Sequence, residues 1–195
     1  MVVGITGGIG SGKSLVSKIL CEFENTIYYH ADEEAKKIIN TSVDVREKLI
    51  QIFGEEAYND NRLNNQFIST QVFSDKNKLT KLNSIVHPKV KNHFKNFVHT
   101  HKDKIIIYEN AILFEVKSDM NCDIIITVTA LKEDRISRVM KRDNVKREEV
   151  LQIMSNQWND TKKVLLSNYL IDNHVFESVS KQTEEIYNIL TKNKL

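Results

Sequence analysis

At 195 residues with 41% hydrophobic content, the chain is long enough to bury one good core and too short for several independent domains. Its 28 basic and 26 acidic residues leave a net charge of +2 with the signs interspersed, so bulk charge gives no footprint for nucleic acid. Cys21 and Cys122 form neither a CxxC pair nor a secreted-type framework, and no apolar run approaches the ~18 residues of a membrane span, so we expect a reduced, cytoplasmic protein that engages neither nucleic acid nor membrane.

The first apolar run, residues 2–6 (VVGIT), lacks polar alternation and reads as a strand covered on both faces. Directly after it stand four of the chain's six glycines, in Gly7-Gly8-Ile9-Gly10-Ser11-Gly12-Lys13-Ser14. This is G-x-x-x-x-G-K-[ST], placed where that motif belongs, between a strand and a helical pattern over 13–23. Glycines let a backbone turn around an anion with its N–H groups inward, and the following helix adds the positive end of its dipole. The motif predicts a nucleotide site formed by Gly8, Gly10, Ser11, Gly12 and Leu15, with Lys13 on the β- and γ-phosphates and Ser14 on Mg²⁺. The alternative, a glycine turn with an incidental Lys-Ser, fits the strand-loop-helix setting less well.

A second apolar run over 26–29 is followed by His30-Ala31-Asp32. A carboxylate at the carboxyl end of a parallel strand borders the ligand crevice, where it can accept the proton of an attacking hydroxyl or hold a water on the metal. Asp32 can equally cap a helix predicted over 32–39. Between about 31 and 103 no strand is expected; helices over 43–53, 64–73, 76–86 and 88–99 fill the span, with Pro88 in the first turn of the last. Such a block either lines an acceptor site or merely packs, and His87 is either a ligand or a satisfied structural histidine.

Strands resume over 104–108, 123–128 and 169–171, alternating with helices over 135–141, 147–157 and 179–190. The alternation predicts an α/β fold on a parallel, doubly wound sheet. Arg135, Arg138 and Arg142 share one helical face, as a solvated stripe or as cations closing over a transferring phosphoryl group. No N-K-x-D or D-x-x-G occurs, which argues against a guanine-nucleotide switch.

Taken together, several segments resemble the dephospho-CoA kinase family through most of the chain. They are the loop from Thr6 to Ser14, His30-Ala31-Asp32 (that family's D-A-D), Ile85-Val86-His87-Pro88 (L/I-x-H-P), Glu109 to Glu115 (P-L-L-F-E), Arg138 to Asp143 (R-x-x-x-R-D), Gln157, and Ile171-Asp172-Asn173 (I-x-N). His30, Ala111 and Asn65 depart from the family pattern, and Arg62, one turn before Asn65, is the substitute for the arginine missing there. The resemblance implies a P-loop kinase-type, five-stranded parallel sheet flanked by helices, with a core of about 1–31 and 104–195, a substrate-binding helical insert of about 32–103 and a lid of about 135–160. It implies ATP-dependent phosphorylation of the 3′-hydroxyl of dephospho-CoA, with Mg²⁺ on Ser14 and, through water, on Asp32. Asp32, Lys13, Arg138 and Arg142 would be catalytic; Arg142 and Asn173 would join the nucleotide site; Asp32, Arg62, His87, Leu113 and Glu115 would meet the substrate. A monomer or weak homo-oligomer is expected. The rivals are a kinase for another small alcohol, such as shikimate, and a protein in which ATP only switches conformation.

Overall fold

The computed structural model describes residues 1–174 and 176–192. Along the chain run β1 (Val2–Thr6), α1 (Lys13–Leu20), β2 (Thr26–His30), α2 (Ala31–Thr41), α3 (Val43–Phe53), β3 (Tyr58–Asn59), β4 (Arg62–Leu63), α4 (Asn65–Ser74) and α5 (Lys76–Thr100). There follow β5 (Ile105–Glu109), β6 (Ile124–Thr129), α6 (Lys132–Asp143), α7 (Arg147–Ser155), α8 (Asp160–Leu165), β7 (Tyr169–Asp172) and α9 (Phe176–Lys192). They divide into two compact units, Met1–Tyr29 with His101–Leu195, and His30–Thr100. Among the described residues no helix is long and apolar enough to cross a membrane.

The first unit is built on a five-stranded sheet in the order β2-β5-β1-β6-β7. β1 pairs in parallel with β5 on one side and β6 on the other, and β6 pairs in parallel with β7. Alternate residues of four strands (Val3, Ile5, Ile105, Ile107, Ile126, Val128, Ile171) meet Val16 and Leu20 of α1 and Val179, Ile186 and Leu190 of α9 in one buried cluster. On the opposite face Gly4 stands against Leu113 and Cys122. Cover on both faces is why β1, β5 and β6 show no polar alternation. Each fully buried aliphatic side chain contributes roughly 1.5–3 kcal/mol. The register sets Ile5 beside Glu109 and Thr6 beside Thr127, so the ends of three strands converge where the glycine loop begins.

In the second unit α5 packs against α2, α3 and α4. Its core joins Val45, Leu49 and Phe53 of α3 to Ala57, Tyr58 and Ile68, with Leu82 and Ile85 of α5 packed against them. Two expectations are corrected here. Residues 76–86 and 88–99 form one continuous helix with Pro88 inside it, not in a first turn. Proline removes one backbone hydrogen bond and crowds the carbonyl of residue i−4, here Ser84. Buried side chains on both sides, Val86 before it and Phe94 after it, hold the helix through that defect. The span expected to lack strands also contains an antiparallel ladder, Tyr58 opposite Leu63 and Asn59 opposite Arg62. Asp60 turns it at φ +54°, a left-handed conformation that aspartate tolerates. The Arg46 guanidinium secures that turn through the Asp60 carbonyl (2.9 Å) and Asn61 Oδ1 (2.6 Å). Two-residue strands carry too few positions for a period to show.

Pro88→Ala restores the missing N–H and is expected to stabilise the protein by about 1 kcal/mol or more. The check is a higher urea midpoint at an unchanged denaturant slope. A lower midpoint would show that contacts of the proline ring outweigh the lost hydrogen bond.

Candidate active site

The glycine loop runs from the end of β1 into α1, whose N-cap is Gly12 at φ +100°. No side chain caps this helix and no acidic residue lies in its first turn. The first amides of a helix have no intrahelical partner, so this terminus is a seat for an anion. By contrast, α2 carries Asp32, Glu33 and Glu34 in its first turn and is capped by a side chain. Close approach explains two of the loop's glycines. A Cβ on Gly12 would lie 2.0 Å from Asn173 Nδ2, and one on Gly8 would lie 1.9 Å from Arg135 Nη2.

Those neighbours brace the loop. Buried Asn173 donates through Nδ2 to the Ser11 carbonyl (2.8 Å), and Arg138 donates to the carbonyls of Asn173 (3.2 Å) and Gly10 (3.5 Å). Arg135 Nε donates to the Ile9 carbonyl at 2.9 Å, while its Nη1 lies 2.5 Å from Asp160 Oδ2. The Ile9 N–H donates to Gln157 Oε1 at 2.9 Å. The three arginines that share a face in the sequence therefore differ in place. Arg135 is buried under the loop; Arg138 and Arg142 are exposed, and Arg142 forms a two-pronged pair with Asp143. Asp143 first, and more weakly the field of Glu109, hold the Arg142 guanidinium above its usual pKa.

Lys13 is buried, and its ammonium donates to the Gly8 carbonyl at 3.3 Å. Ser14 Oγ donates to Glu109 Oε1 at 2.8 Å. Glu109 ends β5, is 4% exposed, and takes a second hydrogen bond at Oε2 from the Tyr28 hydroxyl, 2.5 Å away. A serine that gives its proton to a carboxylate keeps its oxygen lone pairs for a hard cation. This donor set fits Mg²⁺, which takes few protein oxygens and fills its octahedron with phosphate and water. Among the described residues no group of three His, Cys, Asp or Glu is placed to hold a metal ion. In the sequence Glu109 stands out only as the first residue of the Glu109 to Glu115 segment on the substrate side, with nothing to mark it for the metal side. Its signal was an acidic residue closing an apolar strand, and only the strand order makes that strand the neighbour of β1.

Two residues expected on the substrate have other surroundings. Leu113 has no exposed surface and lies toward Gly4. Glu115 Oε1 accepts from the ammonium of Lys163 (2.9 Å) and the Trp158 N–H (2.8 Å). Lys163, fully buried, also donates to the Ala111 carbonyl at 2.5 Å. Both side chains thus support residues 110–118 from within. Lys163 and Arg135 are the supports that spacing did not single out for this work.

In the unit His30–Thr100, Asp32 is the exposed second residue of α2. The cap considered for Asp32 is His30, whose Nδ1 accepts from the Glu33 N–H at 3.0 Å. Arg62 is exposed on β4, and His87 is half-buried within α5.

A parallel sheet whose central strand feeds a glycine loop and an uncapped helix, with a Ser-carboxylate pair at its edge, defines a P-loop phosphotransferase of the small-molecule kinase type. The dephospho-CoA kinase family model matches residues 1–177. A dephospho-CoA kinase of Bacteroides fragilis is 38% identical over 173 residues, covering 88% of this chain and 83% of its own. The chain belongs to the dephospho-CoA kinase family. The crystal structure of a Thermus thermophilus protein superposes with a TM-score of 0.82 at 27% identity, covering 98% of this chain and 97% of that one. The dephospho-CoA kinase from Campylobacter jejuni shares the fold, with a TM-score of 0.64 at 19% identity over 96% and 95% of the two chains.

Burial holds the His87 pKa below its ordinary 6.5, because the cation is poorly solvated there. The unfolded chain binds this proton more readily, so the contribution to stability is full above about pH 6.5 and is lost as pH falls below it. His87→Gln is expected to flatten the decline of the urea midpoint between about pH 6.5 and pH 5. Superimposable pH profiles for the two proteins would sink this assignment.

Proposed function

We propose that this chain transfers the γ-phosphoryl group of ATP to the 3′-hydroxyl of dephospho-CoA, giving CoA and ADP. The observation that carries the reading is the Ser14–Glu109 pair beside the uncapped N-terminus of α1, in a chain of this family. Mg²⁺, when bound, draws negative charge off the phosphate oxygens. Ser14 Oγ would be its protein ligand, with Glu109 behind it as the balancing charge and Asp32 reaching it through water. Gly8, Gly10, Ser11, Gly12 and Leu15 would line the phosphates, within a loop fixed by Asn173. Lys13 would neutralise the β- and γ-phosphates, and Arg138 and Arg142 would offset charge on the transferring group.

Asp32 is assigned as the base. As the 3′-oxygen bonds to the γ-phosphorus and the bond from that phosphorus to the leaving oxygen of ADP breaks, the hydroxyl proton passes to Asp32. Arg62 and His87 would contact the acceptor, as would the segment containing Leu113 and Glu115. We assign the activity to the cytoplasm and to a monomer or weak homo-oligomer. The braced loop supports this scheme, since phosphoryl transfer is accelerated chiefly by positioning and fixed charge.

The test is ADP release from MgATP with dephospho-CoA, shikimate, gluconate or adenosine. Stimulation by dephospho-CoA alone, with a product heavier by one phosphate, is expected; equal slow hydrolysis with every acceptor would overturn the reading. Lys13→Ala and Asp32→Asn should each lower kcat by about 10²–10⁴-fold at an unchanged melting temperature. Near-normal turnover in a stably folded Asp32→Asn protein would remove the base from the scheme.

A further inference from the structure

A buried carboxylate needs hydrogen-bond donors, and in Glu109 each oxygen has one from a different element. Ser14 of α1 gives its proton to Oε1 at 2.8 Å, and Tyr28 of β2 gives its phenol proton to Oε2 at 2.5 Å. β2 is the strand next to β5 in the sheet, so Tyr28 reaches Glu109 from the adjacent strand. Its ring packs against the aliphatic cluster of the first unit, which fixes where the hydroxyl is presented. The last torsion of a glutamate is broad and roughly two-fold, so each donor from a different side narrows the range over which the carboxylate plane turns. Two donors from different sides fix it. A hydroxyl-to-carboxylate bond this short is also among the stronger hydrogen bonds available to a side chain.

We infer that Tyr28 is a positioning residue for the divalent-cation site: by holding Oε2 of Glu109, it keeps Oε1 on the Ser14 hydroxyl and the lone pairs of that hydroxyl turned to the cation. The inference rests on the proposed metal-side role of Ser14 and Glu109. Tyr28 acts through Glu109 and contacts neither the nucleotide nor the acceptor in this role. Phenylalanine at position 28 keeps the ring and removes the hydroxyl that donates to Glu109.

The experiment compares wild type, Tyr28→Phe and Glu109→Gln by calorimetric ADP binding, first in excess EDTA and then across a Mg²⁺ titration, alongside melting of the unliganded proteins. In Tyr28→Phe, the metal-free ADP affinity is expected to stay within about twofold of wild type. The Mg²⁺ concentration giving half of the metal-linked gain in affinity should rise about three- to tenfold, the net worth of one typical hydrogen bond. Glu109→Gln should raise that midpoint at least as far. A shift in Glu109→Gln with none in Tyr28→Phe would overturn the positioning role and leave the Ser14–Glu109 pair standing. No shift in either would sink the pair and the inference with it. A shift in Tyr28→Phe alone would also overturn it, since the effect must pass through Glu109. So would a lower melting temperature in Tyr28→Phe at an unmoved Mg²⁺ midpoint, which would mark the hydroxyl as merely structural.

Discussion

An anion seat at a helix N-terminus works only if its backbone amides are left for the ligand, and the rest of the first unit is organised by that requirement. A capping side chain or an acidic first turn would occupy or neutralise the seat, and α1 has neither. The glycines that let the loop close around an anion bring no side chains of their own to hold its shape. That shape has to be imposed from outside, by Asn173 on Ser11, Arg138 on Gly10, and Arg135 with Gln157 on Ile9. Most of these bonds take the loop's carbonyls. Braces on carbonyls fix the geometry while leaving amides to point inward, which is how fixed dipoles can be aimed at phosphate before it arrives.

The same requirement explains why the loop sits on a central strand. β1 has a parallel neighbour on each side, so its end is fenced by the ends of β5 and β6. Glu109 at the end of β5 is delivered to Ser14 by register, and Thr129 at the end of β6 accepts the backbone N–H of Asn173 at 2.8 Å. The sheet thus supplies one carboxylate for the metal side and one anchor for the loop. Buried aliphatic side chains hold that register, because a slip of one residue would turn each strand's faces over.

Much of this was legible in the sequence, and where legibility ended has physical causes. The five apolar runs became the five strands of the sheet; burial on both faces leaves an unbroken signal in β1, β5 and β6, while β2 and β7, at the sheet edges, are only partly buried. The loop was legible because its chemistry is local. Strand order is not local, and with it went the meeting of Ser14, Glu109 and Tyr28, whose positions in the chain are far apart. Helical spacing put Arg135, Arg138 and Arg142 on one face, yet Arg135 is spent on Asp160 and the Ile9 carbonyl while Arg142 stays exposed. The support that Glu115 gives from within was equally hidden. Its partner, Lys163, is distant in sequence and wholly buried, and nothing in the local pattern announces it. Pro88 misled in the opposite direction, since tertiary packing overrode a reliable local breaker.

The burial of Lys163 with Glu115 is not explained by stability, because a desolvated ion pair is often no better than an apolar pair of the same size. Its geometry gives a better account. Between residues 157 and 163 the chain makes two sets of bonds. Gln157 and Asp160 reach toward the glycine loop, directly to the Ile9 N–H and through Arg135 to the Ile9 carbonyl. Trp158 and Lys163 reach the segment after β5, at Glu115 and the Ala111 carbonyl. One short stretch therefore holds the phosphate loop and residues 110–118 to a common frame. An apolar pair could fill the space around Lys163 and Glu115, but it could not fix a carbonyl and a backbone N–H in direction, and direction is what such a frame has to supply.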